Sequence, residues 1–384
     1  MAAGERRQIK EITAVKGLSA LIIAFLYHPF TVGFTDNGRM PFDSIGVIRF
    51  LEQNGGIMVE LFLMLSGYLS WVAYRDKITS AAVLFEQDKS KTQNSMWHGF
   101  CRFIRRRIIR IFPVMWVTLL MTVVLQLAHL KLYGSYFVIR GNSSSELLYH
   151  LTGFQMFWSG EAWNAPAWTL NKLLICWCIF FFITWCSRGD RAKSFVLFTI
   201  MIIFGMNFLV RRVPDGAIPF TDLASSRAFV SFFIGCDLAL LKSAVPRKTI
   251  RNMCLVLLGI NAAFIAIMLI AGTDSFDYQP YFVTFPLIVY PLVIFAVQLL
   301  KPLSKILGTA PFQFAGRISF ALYLCNFPLE ILIFIIMDKT GSKISFASPW
   351  FFLINVVLQI SVSTVVWYLV EVKATDRIKK RICL

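Results

Sequence analysis

The residues with chemistry to offer are few and lie in unexpected places. His28, one of only four histidines, sits in an apolar run from Val15 to Phe34 that begins with Lys16. An imidazole in hydrocarbon is costly unless it faces a polar cavity, and it moves protons near neutral pH. It could act as a general base or proton relay, or be a bundle-interior histidine hydrogen-bonded to a neighbouring helix. Pro29 removes a backbone donor and frees the carbonyl near Phe25, which kinks the helix beside it. Glu60, near the outer end of its run, could face the surface or orient the imidazole; Glu330 and Lys172, within apolar runs, need partners or water, and Arg227 opens another run. Asn164, Trp168 and Lys172 cluster at the start of one run, while Tyr323, Asn326 and Glu330 share one helix face by spacing.

A second group is cationic: Arg102, then Arg105-Arg106-Arg107, Arg110 and Pro113. Arg106 and Arg110 are four apart and Arg107 and Arg110 three apart, so several guanidiniums share a helix face. Their forked donors suit phosphate oxygens, and their surplus equally suits anchoring at a membrane surface. Small residues, Ser66-Gly67, would let a helix approach closely.

These residues must be positioned by membrane helices. The chain has 384 residues and is 57% hydrophobic and 15% aromatic. Repeated apolar runs of ~20 residues match the ~30 Å hydrocarbon core. Ten are read, near 14–34, 56–74, 108–130, 167–186, 194–210, 225–241, 252–272, 279–300, 314–337 and 350–370. The first is long and lacks a small-residue cleavage site, so it reads as an uncleaved start-transfer helix. With a cytoplasmic N-terminus, 28 of the 38 Lys and Arg fall on the inner side and eight on the outer, which places both termini inside. The fold expectation is all-α, polytopic, a single membrane domain over residues 1–384. The net charge of +17 then reflects topology and affinity for anionic membrane lipid, and nucleic acid is not an expected partner. None of the eight cysteines falls in an expected outer loop, and no cysteine spacing suggests a metal site. Two loops look long: Arg75–Arg102, expected to be mobile at Gln87–Ser95, and the external Lys131–Pro166, with Ser143–Ser145, Glu146, Trp158, Glu161 and Trp163.

Taken in order, these segments resemble the acyltransferase family 3 membrane O-acyltransferases. That family carries a basic residue and a histidine in its first helix, here Lys16 and His28. Val59-Glu-Leu-Phe62-Leu-Met-Leu-Ser66-Gly67-Tyr68 resembles its second-helix motif, and Arg107, Arg110 and Pro113 its Arg-x-x-Arg before proline. Arg227, Phe232, Phe233 and Gly235 resemble its sixth span, and Gly316-Arg-Ile-Ser319-Phe-Ala-Leu-Tyr323-Leu324 its ninth. Three departures stand out. Lys16 and His28 have eleven intervening residues where the family has ten, so in a straight α-helix they lie ~120° apart instead of ~20°. Trp168-Thr-Leu-Asn-Lys-Leu173 lacks the carboxylate frequent in the fourth span, and Asn326 stands where a second histidine is frequent.

The resemblance implies transfer of an acyl group, by expectation acetyl, from cytosolic acetyl-CoA or another acyl-CoA co-substrate to a hydroxyl of an extracytoplasmic glycan or polysaccharide. His28 is then the general base or a covalent relay, oriented by Glu60 or Glu330. Lys16, Arg106, Arg107 and Arg110 bind the acyl-CoA, and Arg227, Lys172, Trp168, Tyr323 and Asn326 bind the acceptor or polarise the thioester. No metal is implied, and a bacterial plasma membrane is the expected location. The rival readings are a transporter or lipid-linked glycan flippase with His28 as proton relay, and a degenerate homologue acting as a sensor or scaffold.

Overall fold

The computed structural model describes residues 3–36, 38–42, 44–87, 95–138, 142–153, 163–211, 220–271, 283–342 and 344–381. The described residues are helical, with no strand among them. α1 (Ala3–Ile22) passes through a π-helical turn, Ile23–Tyr27, into a last α turn, His28–Thr31. There follow α2 (Gly46–Asn54), α3 (Met58–Gln87), α4 (Met96–Tyr133), α5 (Ser144–Thr152), α6 (Trp168–Ser187), α7 (Arg191–Arg211) and α8 (Leu223–Ala244). Then come α9 (Arg247–Ala271), α10 (Tyr290–Leu299), α11 (Lys301–Leu307), α12 (Ala310–Lys339) and α13 (Pro349–Val366). A π-helical stretch, Trp367–Ala374, joins α13 to α14 (Thr375–Arg381).

Seven stretches among the described residues are long and apolar enough to cross a membrane, and Phe285–Leu299 (a π-helical Phe285–Val289 leading into α10) with α11, bent by 91°, makes an eighth if taken as one broken span. Seven of the ten expected spans coincide with these stretches and the eighth falls on the bent pair. The first lies on α1 with its π turn, and the seventh on α9, with its end outside the described residues. The bend follows from extended Leu300 and from Pro302, which enters the first turn of α11 without an N–H.

The two long loops are shorter than the sequence suggests. Helix α3 continues past Arg75 to Gln87, and α4 begins at Met96, so most of Arg75–Arg102 is helix. Residues such as Ala81, Ala82, Leu84 and Glu86 favour that continuation. The stretch expected to be mobile falls almost wholly outside the described residues. Within Lys131–Pro166, Ser143 and Glu146 form a reciprocal capping box that starts α5, and Gly153 ends it at φ +79°. The indole of Trp163 donates to the Ser143 carbonyl at 3.0 Å, tying the far side of the loop to this cap. Trp158 and Glu161 lie outside the described residues.

The chain forms two compact units, and the division falls inside α1, α3, α4, α6 and α12. One comprises Met1–Lys16, Val59–Phe103 and Leu173–Gly316. Its helices meet backbone to backbone: a Cβ on Gly67 would lie 1.9 Å from the Phe232 carbonyl oxygen, and one on Gly235 1.9 Å from that of Met64. Lipid tails are as apolar as Leu, so association in a membrane relies on such close packing. Phe180, Phe198, Phe232 and Phe233 fill the space around this crossing.

The other unit comprises Gly17–Met58, Ile104–Lys172 and Arg317–Leu384. Phe34, Phe137, Phe327, Ile331, Ile333 and Phe351 form one buried cluster in it. Gln126, fully buried on α4, bonds both backbone groups of Phe137, at 3.1 and 2.8 Å, and so satisfies a non-helical peptide within apolar surroundings.

Candidate functional site

His28 stands in the last turn of the α1 helix, and the local sequence explains why. Pro29 has no N–H to give, and the helix widens just before it, with the His28 N–H reaching back five residues to the Ile23 carbonyl. The His28 carbonyl accepts from Val32 N–H at 3.0 Å and from Thr31 Oγ1 at 2.8 Å, and Gly33, at φ +84°, then ends the helix. The π turn absorbs one residue. Along the helix, the twelve-residue step from Lys16 to His28 therefore turns as an eleven-residue step would in a plain α-helix. The helix between the two residues is therefore not the straight α-helix that the counted spacing assumes.

Glu330 of α12 meets the imidazole: His28 Nδ1 lies 3.0 Å from Glu330 Oε2. The histidine side chain is 13% exposed and the carboxylate 0%. Phe327 and Tyr27 present ring edges at 6.4 Å, fixing the plane of the imidazole. A proton on Nδ1, donated to the carboxylate, would leave Nε2 with the lone pair that a general base requires. Of the two carboxylates named for an orienting role, Glu330 is the one found against the imidazole.

Around this pair, buried polar capacity remains unspent. Asn326, one turn before Glu330, is fully buried with neither amide atom hydrogen-bonded, and Glu330 Oε1 has no partner. Asn164 donates to the Leu324 carbonyl at 3.0 Å while its own Oδ1 is unpartnered. Each such group costs about 1–3 kcal/mol when left unsatisfied. That cost suits groups that bind a polar substrate. Tyr323 and Lys172 are buried in the same unit, and Trp168 is half-buried at the start of α6.

Glu60 belongs to the other unit and pairs with Arg227, through Oε1 and Nε. Glu60 is fully buried, and its second oxygen has no partner. The partner found for Glu60 is thus Arg227, while the carboxylate found against the imidazole is Glu330. Lys16, in the same unit, stacks its ammonium over the Phe62 ring at 4.0 Å.

The arginine group lies on α4, which runs unbroken through Pro113. Arg106 is exposed, Arg107 half-buried, and Arg110 reaches Glu371 at 3.4 Å. The expected common face is thus present on an unbroken helix, with Arg110 paired to Glu371.

Other polar groups escaped the sequence reading. Gln298 joins Tyr68 and Lys242 in a buried network, and Asn355, Gln359 and Ser363 form a buried stripe on α13. Both could have been found as polar residues at helical spacing in, or at the end of, apolar runs. Among the described residues no group of three or more His, Cys, Asp or Glu is arranged to hold a metal ion.

A search of curated proteins and a search of solved structures each return no significant match. The family profile described as "Acyltransferase domain" matches residues 9–368, which include residues of both units and His28, Glu60, Arg227 and Glu330. A profile match over nearly the whole chain, on a multi-pass helical frame, makes the protein a membrane acyltransferase belonging to acyltransferase family 3.

Proposed function

We propose that the protein transfers an acyl group, acetyl in the first instance, from cytosolic acyl-CoA to a hydroxyl of an extracytoplasmic glycan. The observation that carries this reading is the His28–Glu330 pair, a 3.0 Å contact buried within apolar helices. Nε2 of His28 takes the proton of the acceptor hydroxyl as its oxygen attacks the thioester carbonyl carbon. The C–S bond breaks, and the departing thiolate receives that proton from His28. Glu330 holds the tautomer and stabilises the imidazolium between these steps. Asn326 offers an amide to the acceptor or to the developing oxyanion, Tyr323 and Trp168 are assigned to the acceptor, and Lys172 or Arg227 to the acceptor or the thioester carbonyl. Arg106, Arg107 and Arg110 are assigned to the phosphates of the donor, with Lys16 on the donor side of the same helix as His28.

The test is transfer of label from radiolabelled acetyl-CoA to surface glycan in membranes bearing the protein. His28→Ala should remove the transfer while leaving protein abundance unchanged. Retained transfer would exclude His28 as the base.

A further inference from the structure

One groove is lined by none of the candidate site residues. It measures about 790 Å³, within the range of organic-ligand sites, and belongs wholly to the first unit. One wall is α9. Arg247, Lys248 and Arg251 occupy its first turns, and Cys254, Leu255 and Leu258 continue the same face at helical spacing. The opposite wall is Leu292, Ala296, Leu299 and Leu300, from α10 and its exit. The groove is thus cationic at one end and apolar along the rest.

The basic end carries charge to spare. Arg247, Lys248 and Arg251 are all exposed, and none forms an ion pair among the described residues. Arg247 reaches only the Leu299 carbonyl, at 3.4 Å. Leu255 and Leu258 remain 61% and 55% exposed on the apolar wall. From Arg247 to Leu258 the helix rises ~16 Å, about the depth of one leaflet of a ~30 Å hydrocarbon core. The charge asymmetry of the sequence puts the basic end at the cytoplasmic headgroups, where anionic lipid is concentrated.

We propose that this groove holds one anionic phospholipid, its phosphodiester on Arg247, Lys248 and Arg251 and an acyl chain along Leu255, Leu258, Leu292 and Ala296. The site is separate from the transfer chemistry and does not depend on it. Hydrocarbon between the two walls completes the packing of α9 on α10, and the phosphate neutralises three neighbouring cations.

The experiment is native mass spectrometry of the full chain released from detergent micelles doped with phosphatidylglycerol, phosphatidylcholine or a polyprenyl phosphate at equal fraction. One phosphatidylglycerol should survive release, in preference to phosphatidylcholine. The triple variant Arg247→Gln, Lys248→Gln, Arg251→Gln should weaken its retention about a hundredfold. Ala296→Trp, which fills the apolar end and leaves the cations in place, should also eject it, so loss of charge and loss of shape are read separately. Equal retention of phosphatidylcholine, or unchanged retention in both variants, would overturn the proposal. Preferential retention of the polyprenyl phosphate would overturn the phospholipid assignment.

Discussion

Replacing Glu330 by Gln is the most direct probe of the catalytic geometry. The substitution keeps the side chain's size and removes only its charge, at a position that is fully buried and 3.0 Å from His28 Nδ1. Two magnitudes bracket the effect. A hydrogen bond to a charged group contributes about 1.5–3 kcal/mol. The attraction between carboxylate and imidazolium, at ~4 Å and an effective dielectric constant of ~20, is ~4 kcal/mol as an upper bound. Both act mainly on the transition state, where His28 gains its proton, so the loss in kcat should lie between roughly tenfold and a thousandfold. KM for acyl-CoA should hold steady, because the donor's phosphates are assigned elsewhere. Thermal stability should also hold, since Glu330 Oε1 is already without a partner and the amide buries no charge. The assay is the initial rate of label transfer at saturating donor, with His28→Ala setting the floor and melting curves confirming the fold. A Glu330→Gln rate within threefold of wild type would refute the claim that this carboxylate prepares the base.

Arg227→Ala should destabilise the protein by about 3–5 kcal/mol, because it strands the fully buried Glu60 carboxylate, and adding Glu60→Leu should recover most of that loss. Melting in detergent checks this, and a wild-type melt for Arg227→Ala would show that the pair does not hold the fold. Arg107→Ala with Arg110→Ala should raise KM for acyl-CoA at least tenfold with kcat retained, and an unchanged KM would return these arginines to membrane anchoring. His150, in α5 outside the spans, is fully buried with neither ring nitrogen hydrogen-bonded, and burial pulls its pKa down to about 4. The unfolded chain takes up a proton near the ordinary ~6.5 and the folded one does not. Stability present above that pH should therefore fall as pH drops towards 4, by roughly 3 kcal/mol in all. Melts between pH 7.5 and 4.5 should show the slope, and His150→Leu should flatten it.

Much of the architecture was legible in one dimension. Membrane-length apolar runs announce helices whatever their neighbours do, since a backbone in lipid must satisfy its own hydrogen bonds. Ser66-Gly67 was legible as a close-contact point because only small residues allow such an approach, and Gly67 indeed meets an opposing carbonyl, as does Gly235, which the sequence reading had not singled out for packing. His28 was legible because ionisable groups are rare in hydrocarbon. Loop lengths were less legible, since Arg75–Gln87 is polar enough to read as a connector and yet continues a helix.

Partnership was beyond the sequence. Glu60 and Glu330 are the same residue type in similar apolar settings, and nothing in spacing says which one faces the imidazole. Helix packing decides it: Glu330 meets His28, and Glu60 meets Arg227. The register of His28 was equally hidden, because a counted spacing assumes one kind of helix. The π turn at Ile23–Tyr27 absorbs the surplus residue. Residue types and helix-forming runs are local properties, so the sequence carried the list of reactive groups. Which of them touch depends on how distant helices pack, over 302 residues for His28 and Glu330, and only the tertiary structure could supply that.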